Sequence, residues 1–374
     1  MNHPHPRQER DGVFQTRLSL LDLNFGWEID MNIISILGID IAKNTFQLHG
    51  ADVFGKAVHK KRLPRRELAA HVANLPVCTI VMESCGGSNY WARVFQSSGH
   101  TVKLIGAQYV KPFVKTNKND ANDAQAIVEA ASRPSMNFVP IKQVEQQDIQ
   151  SIHRIRNRIV RNRTALINEI RGLCLEYGIA LTPGAARVKS SLCVAISDSD
   201  NELTPSSRES MQDLYDELVD VEGRLKKLNA KIRQLCRQNE NCQCILKIPG
   251  IGELTATAIV AAVPEPKEFR NGRHMSAWLG LVPRQSSSGD KQTLLGISKR
   301  GDRYLRTLLI HGARAVLSHC KDSDNDYSRW VSRKKATLSH NKAAVALANK
   351  NARIIWTMLN TGEEFSYGAQ AAAA

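Results

Sequence analysis

The chain has 374 residues, enough for two or three domains with a substantial core. Its 51 Lys and Arg residues outnumber its 36 Asp and Glu residues, and the net charge of +15 favours a polyanionic partner such as nucleic acid over a protein merely kept soluble by charge. No apolar run reaches the length of a membrane span, and the eight cysteines form no paired C-x-x-C sets, so we expect a soluble cytoplasmic protein with reduced thiols rather than disulfides or zinc.

The chain begins with a segment that we expect to be a disordered extension over residues 1–30, with Met1 or Met31 as the true start. Residues 33–40 then form a near-continuous apolar run that ends in a carboxylate, Asp40. Such a run predicts a strand covered on both faces, and its end is where α/β folds place their ligands. Asp40 is therefore a candidate first ligand of a divalent metal.

The next hundred residues predict alternating strands and helices. Strands are expected at 45–51, 53–63, 78–82 and 101–105, and helices at 64–74, 89–98 and from about residue 108. This order predicts a mixed α/β sheet. The strand at 78–82 is also followed by a carboxylate, Glu83.

Two further carboxylates begin the next predicted helix. Asp120 and Asp123 are three residues apart, which puts both on one helix face. An acidic N-terminal turn is the simpler interpretation of this pair alone, but the repulsion between the two is relieved if a cation lies between them. Together with Asp40 and Glu83 they make four hard oxygen ligands, which suit Mg²⁺ or Mn²⁺ and not zinc.

A long basic helix is predicted over residues 144–177. Its apolar stripe consists of Ile152, Ile155, Ile159, Leu166, Ile170 and Leu173. Arg154, Arg158 and Arg161 lie on the opposite face, where we expect them to bind phosphates, and Arg156 and Arg163 flank the stripe. Residues 182–205 are rich in Pro, Gly, Ser and Asp, and they predict a connecting loop.

The following segment has two regular patterns. Residues 211–235 keep an unbroken a/d spacing, which predicts a coiled coil with either the basic helix, folded back as a hairpin, or the same helix of another subunit. Pro249-Gly250-Ile251-Gly252 between apolar helices predicts a helix-hairpin-helix. Its bare amides at Gly250 and Gly252 would hold a nucleic-acid backbone, although a glycine turn also serves plain packing.

Three serines, Ser286, Ser287 and Ser288, precede Gly289 and a dense basic cluster. The cluster consists of Lys291, Lys299, Arg300, Arg303 and Arg306. These cations would neutralise the charges of a phosphodiester that a serine hydroxyl attacks, and a flexible turn is the alternative interpretation of the serines. Two further helices are predicted near the end of the chain, at about residues 304–317 and 342–359.

Motifs in a fixed order resemble the DEDD transposases of bacterial insertion sequences, the group of bridge-RNA-guided recombinases. They are Gly38–Lys43, Met82–Ser84, Lys118–Ala124, Pro249–Gly252, and Ser287–Gly289 with Ile297–Gly301. The resemblance extends from Met31 to about Val316, and only the N-terminal extension departs from the family pattern.

The resemblance implies a ribonuclease-H-like domain, similar to the Ruv-type Holliday-junction resolvase, whose four Mg²⁺-binding acids match Asp40, Glu83, Asp120 and Asp123. It implies a nucleophilic serine in the C-terminal domain, which we place at Ser288 beside Gly289, with Ser286 and Ser287 as adjacent rivals. It further implies excision and insertion by strand exchange, with a structured RNA that pairs with both target and donor DNA.

The expected fold is α/β plus α, with a mixed-sheet domain, long coiled-coil helices and a mostly helical C-terminal domain. The expected segments are an extension at 1–30, the DEDD domain at 31–140, the basic helix and coiled coil at 141–242, the serine transposase domain at 243–362 and a disordered tail at 363–374. Expected partners are DNA, a structured guide RNA, and further copies of the chain as a dimer or tetramer near the nucleoid. Lys299, Arg300 and Arg303 are among the residues expected to contact nucleic acid.

Three functions are open on the sequence. The first is a recombinase that uses Ser288 and the metal-binding acids in one composite site. The second is a metal-dependent junction resolvase or nuclease, in which the serine loop only binds phosphate. The third is a nucleic-acid scaffold without catalysis, in which the acids are solvated helix caps.

Overall fold

The computed structural model describes residues 33–114, 120–288, 291–319 and 325–368, without the side chains of Asp120, Ala121 and Lys291. The predictions for residues 1–30, Met31, Lys118-Asn119, Gly289 and the tail beyond residue 368 lie outside the described residues. The chain forms two compact units, one with the described residues up to Cys85 and Val94–Met136, the other with Gly86–Arg93 and the residues from Asn137 on. None of the described helices is long and apolar enough to cross a membrane.

The first unit is built on a mixed sheet. Its strands are β1 (Ile36–Ile41), β2 (Thr45–Ala51), β3 (Ala57–Pro64), β4 (Thr79–Glu83) and β5 (Thr101–Ile105). Its helices are α1 (Arg65–Ala73), α2 (Ser88–Ser97, divided between the two units), α3 (Ala107–Val110) and α4 (Asp120–Ala131), with a 3-10 turn at Lys111–Phe113. Within the unit the strand order is β3-β2-β1-β4-β5, and β1 is antiparallel to β2 but parallel to β4. The predicted mixed α/β sheet is therefore confirmed.

The two faces of β1 are covered differently. Leu37 and Ile39 point to one face and are completely buried. On the other face a Cβ at Gly38 would lie 2.5 Å from the carbonyl oxygen of Ala124, so the missing side chain is what lets α4 lie directly on β1. The strand begins at Ile36 and not at Ile33, whose side chain is 48% exposed.

The second unit is mostly helical, as predicted. Its helices are α5 (Val144–Glu176), α6 (Val188–Ser197), α7 (Pro205–Arg237), α8 (Glu240–Ile245), α9 (Glu253–Ala262), α10 (Gly272–Trp278), α11 (Arg303–His319), α12 (Asp326–Thr337) and α13 (His340–Thr361). Its strands are β6 (Phe138–Val139) and an antiparallel pair, β7 (Pro283–Ser288) and β8 (Lys291–Ile297), and a 3-10 turn spans Pro266–Glu268.

Helices α5 and α7 pack against each other within the chain, which confirms the hairpin interpretation of the coiled-coil pattern. Ile159 of α5 packs with Val221 and Leu225 of α7 in one buried cluster. Beside it, Arg163 and Lys189 each bind a different carboxylate oxygen of Glu222 at 2.7 Å. Pairing of α7 with another subunit stays a prediction.

Two predictions for this helical region were wrong. The segment at 182–205 contains α6, because Val188, Leu192 and Ala195 recur at helical spacing and are buried, the first two in the cluster shared with α7. In α5, Ile155 and Leu173 are 43% and 39% exposed. The apolar face of a straight 33-residue helix drifts around its axis, so a single stripe drawn along the sequence leaves the interface.

The turn between α8 and α9 rests on α11 through two glycines. Gly250 has a φ of +86°, and a Cβ on it would lie 2.7 Å from the carbonyl oxygen of Gly312. Conversely, a Cβ on Gly312 would lie 1.9 Å from the carbonyl oxygen of Gly250. The Pro249-Gly250 turn therefore makes a backbone-to-backbone contact that any side chain would prevent, which supports the packing interpretation of Gly250.

We expect Gly312→Ala to lower the free energy of unfolding by about 1–3 kcal/mol, because the added methyl group overpacks this contact. Gly223→Ala is the matched control, since Gly223 lies in α7 and a Cβ there meets nothing within 4 Å. Alanine should stabilise that position by about 0.5–1 kcal/mol through its higher helix propensity. Urea unfolding midpoints of the two variants measure both effects, and a shift in the same direction would contradict the packing assignment.

Candidate catalytic residues and nucleic-acid-binding surface

Asp40 and Glu83 lie on neighbouring parallel strands at the same level. The register pairs Ile39 of β1 with Met82 of β4, so the next residues along both strands are Asp40 and Glu83. In-register residues of parallel strands point to the same face and lie about 5 Å apart. That face also contains Gly38, two residues before Asp40, on which α4 packs.

The Cys85 thiol is influenced by both carboxylates. Burial raises the pKa of Cys85 above its usual range, and the negative charges of Glu83 and Asp40 raise it further. A single thiol that is close enough to respond to both acids agrees with their adjacency in the strand register. Cys85 carried no signal in the sequence, because its position becomes meaningful only when β1 and β4 pair.

The other two predicted acids are on α4. Helix α4 contacts β1, β2 and β4, and the partly buried Asp123 lies in its first turn. Asp120 is its first residue, and its side chain lies outside the described part. Among the described residues, no three His, Cys, Asp or Glu side chains form a group that could hold a metal ion. The fit to a divalent metal therefore rests on the hard oxygen donors of the adjacent Asp40–Glu83 pair.

The three serines lie on an exposed β-hairpin, which the sequence did not predict. All residues of β7 are exposed, and Ser288 is its last residue, opposite Lys291 of β8. Side chains alternate along a strand, so Ser286 and Ser288 share one face and Ser287 lies on the other. The Ser287 hydroxyl accepts a hydrogen bond of 2.8 Å from the Gln285 amide, whereas Ser288 has no side-chain partner among the described residues.

The base of this hairpin is fixed by two glycines with positive φ. A Cβ on Gly280 would lie 2.1 Å from the carbonyl oxygen of Arg300, and one on Gly301 would lie 1.9 Å from that of Trp278. The Lys299 amide also donates to the carbonyl oxygen of Gly280 at 3.2 Å. The backbone just before β7 and just after β8 is therefore closely packed, and the hairpin with its serines projects from this base into solvent.

Exposed cations follow the hairpin. Lys299, Arg300 and Arg303 are exposed, as expected of residues that bind a phosphate backbone. Arg306 does not belong to this surface: it is only 9% exposed, and its Nη1 donates to the carbonyl oxygen of Leu279 at 3.1 Å. Its guanidinium supports the hairpin base, because it is bound to the backbone just after α10 instead of pointing to solvent.

Helix α5 presents the predicted arginine face. Arg154, Arg158 and Arg161 are exposed, whereas Arg156 donates to the Asn229 side-chain oxygen at 2.7 Å and so belongs to the helical hairpin. Arg154 also lines a cavity of about 190 Å³ between α5, α9 and the start of α11. These three arginines thus keep their charge available for a polyanion.

His153 in the same cavity was missed by the sequence analysis. Its two ring nitrogens lie 3.0 Å from the Tyr304 hydroxyl and 3.0 Å from the Thr257 hydroxyl. Burial lowers the pKa of His153 to about 4, with a smaller effect of the Arg156 charge. The neutral imidazole therefore joins α5 to α9 and α11 as a structural residue, which fixes the arginine face of α5 relative to the hairpin base.

The predicted helix-hairpin-helix corresponds to α8, the glycine turn and α9. Gly252 is exposed and is the residue before α9, while Gly250 is engaged with Gly312. The first-turn Glu253 puts a negative charge beside the amides that would bind phosphate. Phosphate binding by Gly250 and Gly252 stays a prediction.

Comparisons with known proteins agree with one another. A family model described as the transposase of the IS116/IS110/IS902 family matches residues 242–329, and a DEDD transposase model of IS110 elements matches residues 37–179. The transposase of insertion sequence IS1111A from Coxiella burnetii is 47% identical over 363 residues, which is 97% of this chain and 97% of that protein. A probable family 20 transposase of Pseudomonas aeruginosa is 47% identical over 87% of this chain and 97% of its own length. The IS1328 transposase of Yersinia enterocolitica is 38% identical over 89% and 99%.

Proposed function

The chain belongs to the IS110/IS116 family of insertion-sequence transposases, which are enzymes of DNA strand transfer, and from that premise we propose that it moves its element through a covalent link between Ser288 and DNA. The observation that supports this is the exposed hairpin, which presents the Ser288 hydroxyl on a fixed base and is followed by exposed cations. Membership in an enzyme family excludes the third alternative, a scaffold without catalysis.

In the proposed step the Oγ of Ser288 attacks the phosphorus of a phosphodiester. A new Oγ–P bond forms, the bond from phosphorus to one DNA oxygen breaks, and the serine proton passes to solvent as the released strand end takes up a proton. The phosphoserine diester keeps the energy of the broken bond. A hydroxyl of another strand end can then attack the phosphorus and release the serine, which completes strand exchange without net hydrolysis.

Lys299, Arg300 and Arg303 would hold the DNA in this step. Their charges lie at the base of the hairpin and at the start of α11, where they can neutralise the attacked phosphate and its neighbours. Arginine pairs with phosphate oxygens through two parallel hydrogen bonds, so Arg300 and Arg303 would orient the backbone as well as attract it.

Asp40, Glu83, Asp120 and Asp123 would hold a divalent cation, Mg²⁺ or Mn²⁺, in the first unit, which we propose to be ribonuclease-H-like. When bound, such a cation polarises phosphate oxygens. The chain's own contribution is the placement of Asp40 and Glu83 at one level of the sheet, and the glycine at position 38 that brings α4 onto the same face. The like charges of the two acids are the physical reason to expect a cation there.

We further propose that the exposed arginines of α5 bind a structured guide RNA, whose pairing with target and donor DNA selects the sites. Arg154, Arg158 and Arg161 form a row of cations of one sign, which recognises a phosphate backbone without reading its sequence. Sequence choice would then come from base pairing. Several copies of the chain would act together as a dimer or tetramer, since strand exchange involves several DNA ends.

A strand-transfer assay tests the guide RNA. Purified protein is mixed with labelled element-end DNA, target DNA and Mg²⁺, with or without RNA transcribed from the non-coding sequence beside the gene. We expect joined product only when the RNA is present and its pairing segments match the target. Product that forms equally after ribonuclease treatment would contradict the guide RNA and leave the serine chemistry untouched.

A further inference from the structure

A pocket of about 420 Å³ in the second unit lies outside the residues discussed so far. It forms between α12, α13 and the segment that follows α13, and its volume lies within the range of small-ligand sites. The lining consists of Asp326, Tyr327, Arg329, Trp330, Arg333, Lys350, Ile354, Phe365, Ser366 and Tyr367. Most of these residues lie beyond residue 329, where the matching family model ends.

The aromatic part of the pocket is held in place by the end of the chain. The Tyr327 amide donates to the carbonyl oxygen of Tyr367 at 3.2 Å. The Phe365 ring meets the rings of Tyr327 and Tyr367 edge-on at 5.7 and 5.0 Å. These contacts give residues 365–367 a defined position. The prediction of a disordered tail from residue 363 was therefore wrong for these residues. Half of the Tyr367 side chain stays exposed at the pocket.

The cationic part of the pocket has an excess of positive charge. Asp326 forms an ion pair with Arg329, which leaves Arg333 and Lys350 without an ion-pair partner among the described residues. The Lys350 ammonium lies 5.0 Å from the centre of the Trp330 ring, and the Lys334 ammonium lies 5.7 Å from it. Burial lowers the pKa of Lys350 and the nearby charges of Arg353 and Arg333 lower it further, while the Asp326 charge offsets part of this effect. Gathering these like charges costs free energy that a bound anion would offset.

We propose that this pocket binds one unpaired nucleotide of a single-stranded nucleic acid, with the base against Trp330 and Tyr367 and the phosphate between Arg333 and Lys350. Aromatic rings stack with any base, and cations of this arrangement pair with the adjoining phosphate. A duplex offers no free base face, so the pocket distinguishes single strands from duplexes. The inference goes beyond the proposed recombination chemistry, because the pocket shares no residue with the serine hairpin or the acids.

The test uses the full-length protein and fluorescence anisotropy with short labelled strands of DNA, of RNA, and the matching duplex. Lys350→Met removes a pocket cation, and Lys335→Met removes an exposed cation of α12 that does not line the pocket. Both variants lose one charge, so they share any general electrostatic effect. We expect Lys350→Met to weaken single-strand binding about tenfold and Lys335→Met by less than about threefold, with no difference between them on the duplex.

Trp330→Leu should weaken single-strand binding by about tenfold, and Trp330→Phe, which keeps an aromatic face, should restore most of it. A photoreactive base at one unpaired position should crosslink to Trp330 or Tyr367, as located by mass spectrometry. Weakening in the DNA arm, the RNA arm or both identifies which strand supplies the nucleotide. Equal effects of Lys350→Met and Lys335→Met on single strands, or full binding by Trp330→Leu, would overturn the proposal.

Discussion

We expect Ser288→Ala to abolish strand transfer, with a loss of at least about 10³-fold, together with the covalent protein–DNA complex. The alanine removes the only atom that forms the bond to phosphorus. It should leave the hairpin intact, because Ser288 is exposed and its hydroxyl has no hydrogen-bond partner among the described residues. Binding of DNA and of guide RNA should therefore stay near wild type. The readouts are joined product on a gel, adduct that survives denaturation, and binding affinity.

The adjacent serines are the matched controls for this variant. Ser286→Ala changes the same strand face, and Ser287→Ala changes the opposite face and removes the acceptor of the Gln285 amide. We expect both variants to keep strand transfer within about tenfold of wild type. A Ser288→Ala protein that still forms the adduct would move the nucleophile to another residue. A protein that cleaves DNA without any adduct, and continues to do so as Ser288→Ala, would identify a metal-dependent resolvase or nuclease.

The second large effect concerns the acids. We expect Asp40→Asn, Glu83→Gln and Asp123→Asn each to reduce strand transfer by at least about 10²-fold, because each removes one hard ligand and its charge while keeping the side-chain size. Mn²⁺ binding, measured by calorimetry, should weaken at least about tenfold in the same variants. This readout is independent of activity. It separates loss of the metal from loss of the serine chemistry.

Glu67→Gln provides the control for the acids, since Glu67 is an exposed glutamate of α1 in the same unit and forms an ion pair with the neighbouring Arg66. It should leave both metal binding and strand transfer unchanged. Full activity of Asp40→Asn and Glu83→Gln, or unchanged activity of the wild type in excess chelator, would show that these acids are only solvated side chains and that the reaction needs no metal there.

The parts of the fold with a regular local pattern could be predicted from the sequence. The apolar runs predicted β1 and β4, and the long periodic segments predicted α5 close to its observed ends and most of α7, which begins at Pro205 instead of residue 211. The segment of α6 failed because its Pro, Gly and Ser residues dominate a short window, although Val188 and Leu192 are spaced for a helix. The β7–β8 hairpin was not predicted because the residues of β7 are mostly polar and all exposed, so this strand shows no alternation of apolar and polar residues.

The candidate site depends on contacts that no local pattern contains. Asp40 and Glu83 were each recognisable at a strand end, but their adjacency follows only from the pairing of Ile39 with Met82. In the same way, the sequence predicts Arg306 to be one more exposed cation of a basic cluster. Only the packing of α11 against the end of α10 shows that its guanidinium is buried. The pocket around Trp330 exists only because residues 365–367 line it, whereas the sequence predicted a disordered tail from residue 363.

Mapping the residue that carries DNA in a trapped complex decides whether a serine of the hairpin performs the reaction. The protein is incubated with nicked element-end DNA that stalls religation, digested with nuclease and protease, and analysed by tandem mass spectrometry. We predict a peptide spanning β7 whose Ser288 bears a residual nucleotide. A nucleotide on any other residue, or cleaved DNA with no modified peptide at all, would contradict serine catalysis by this hairpin.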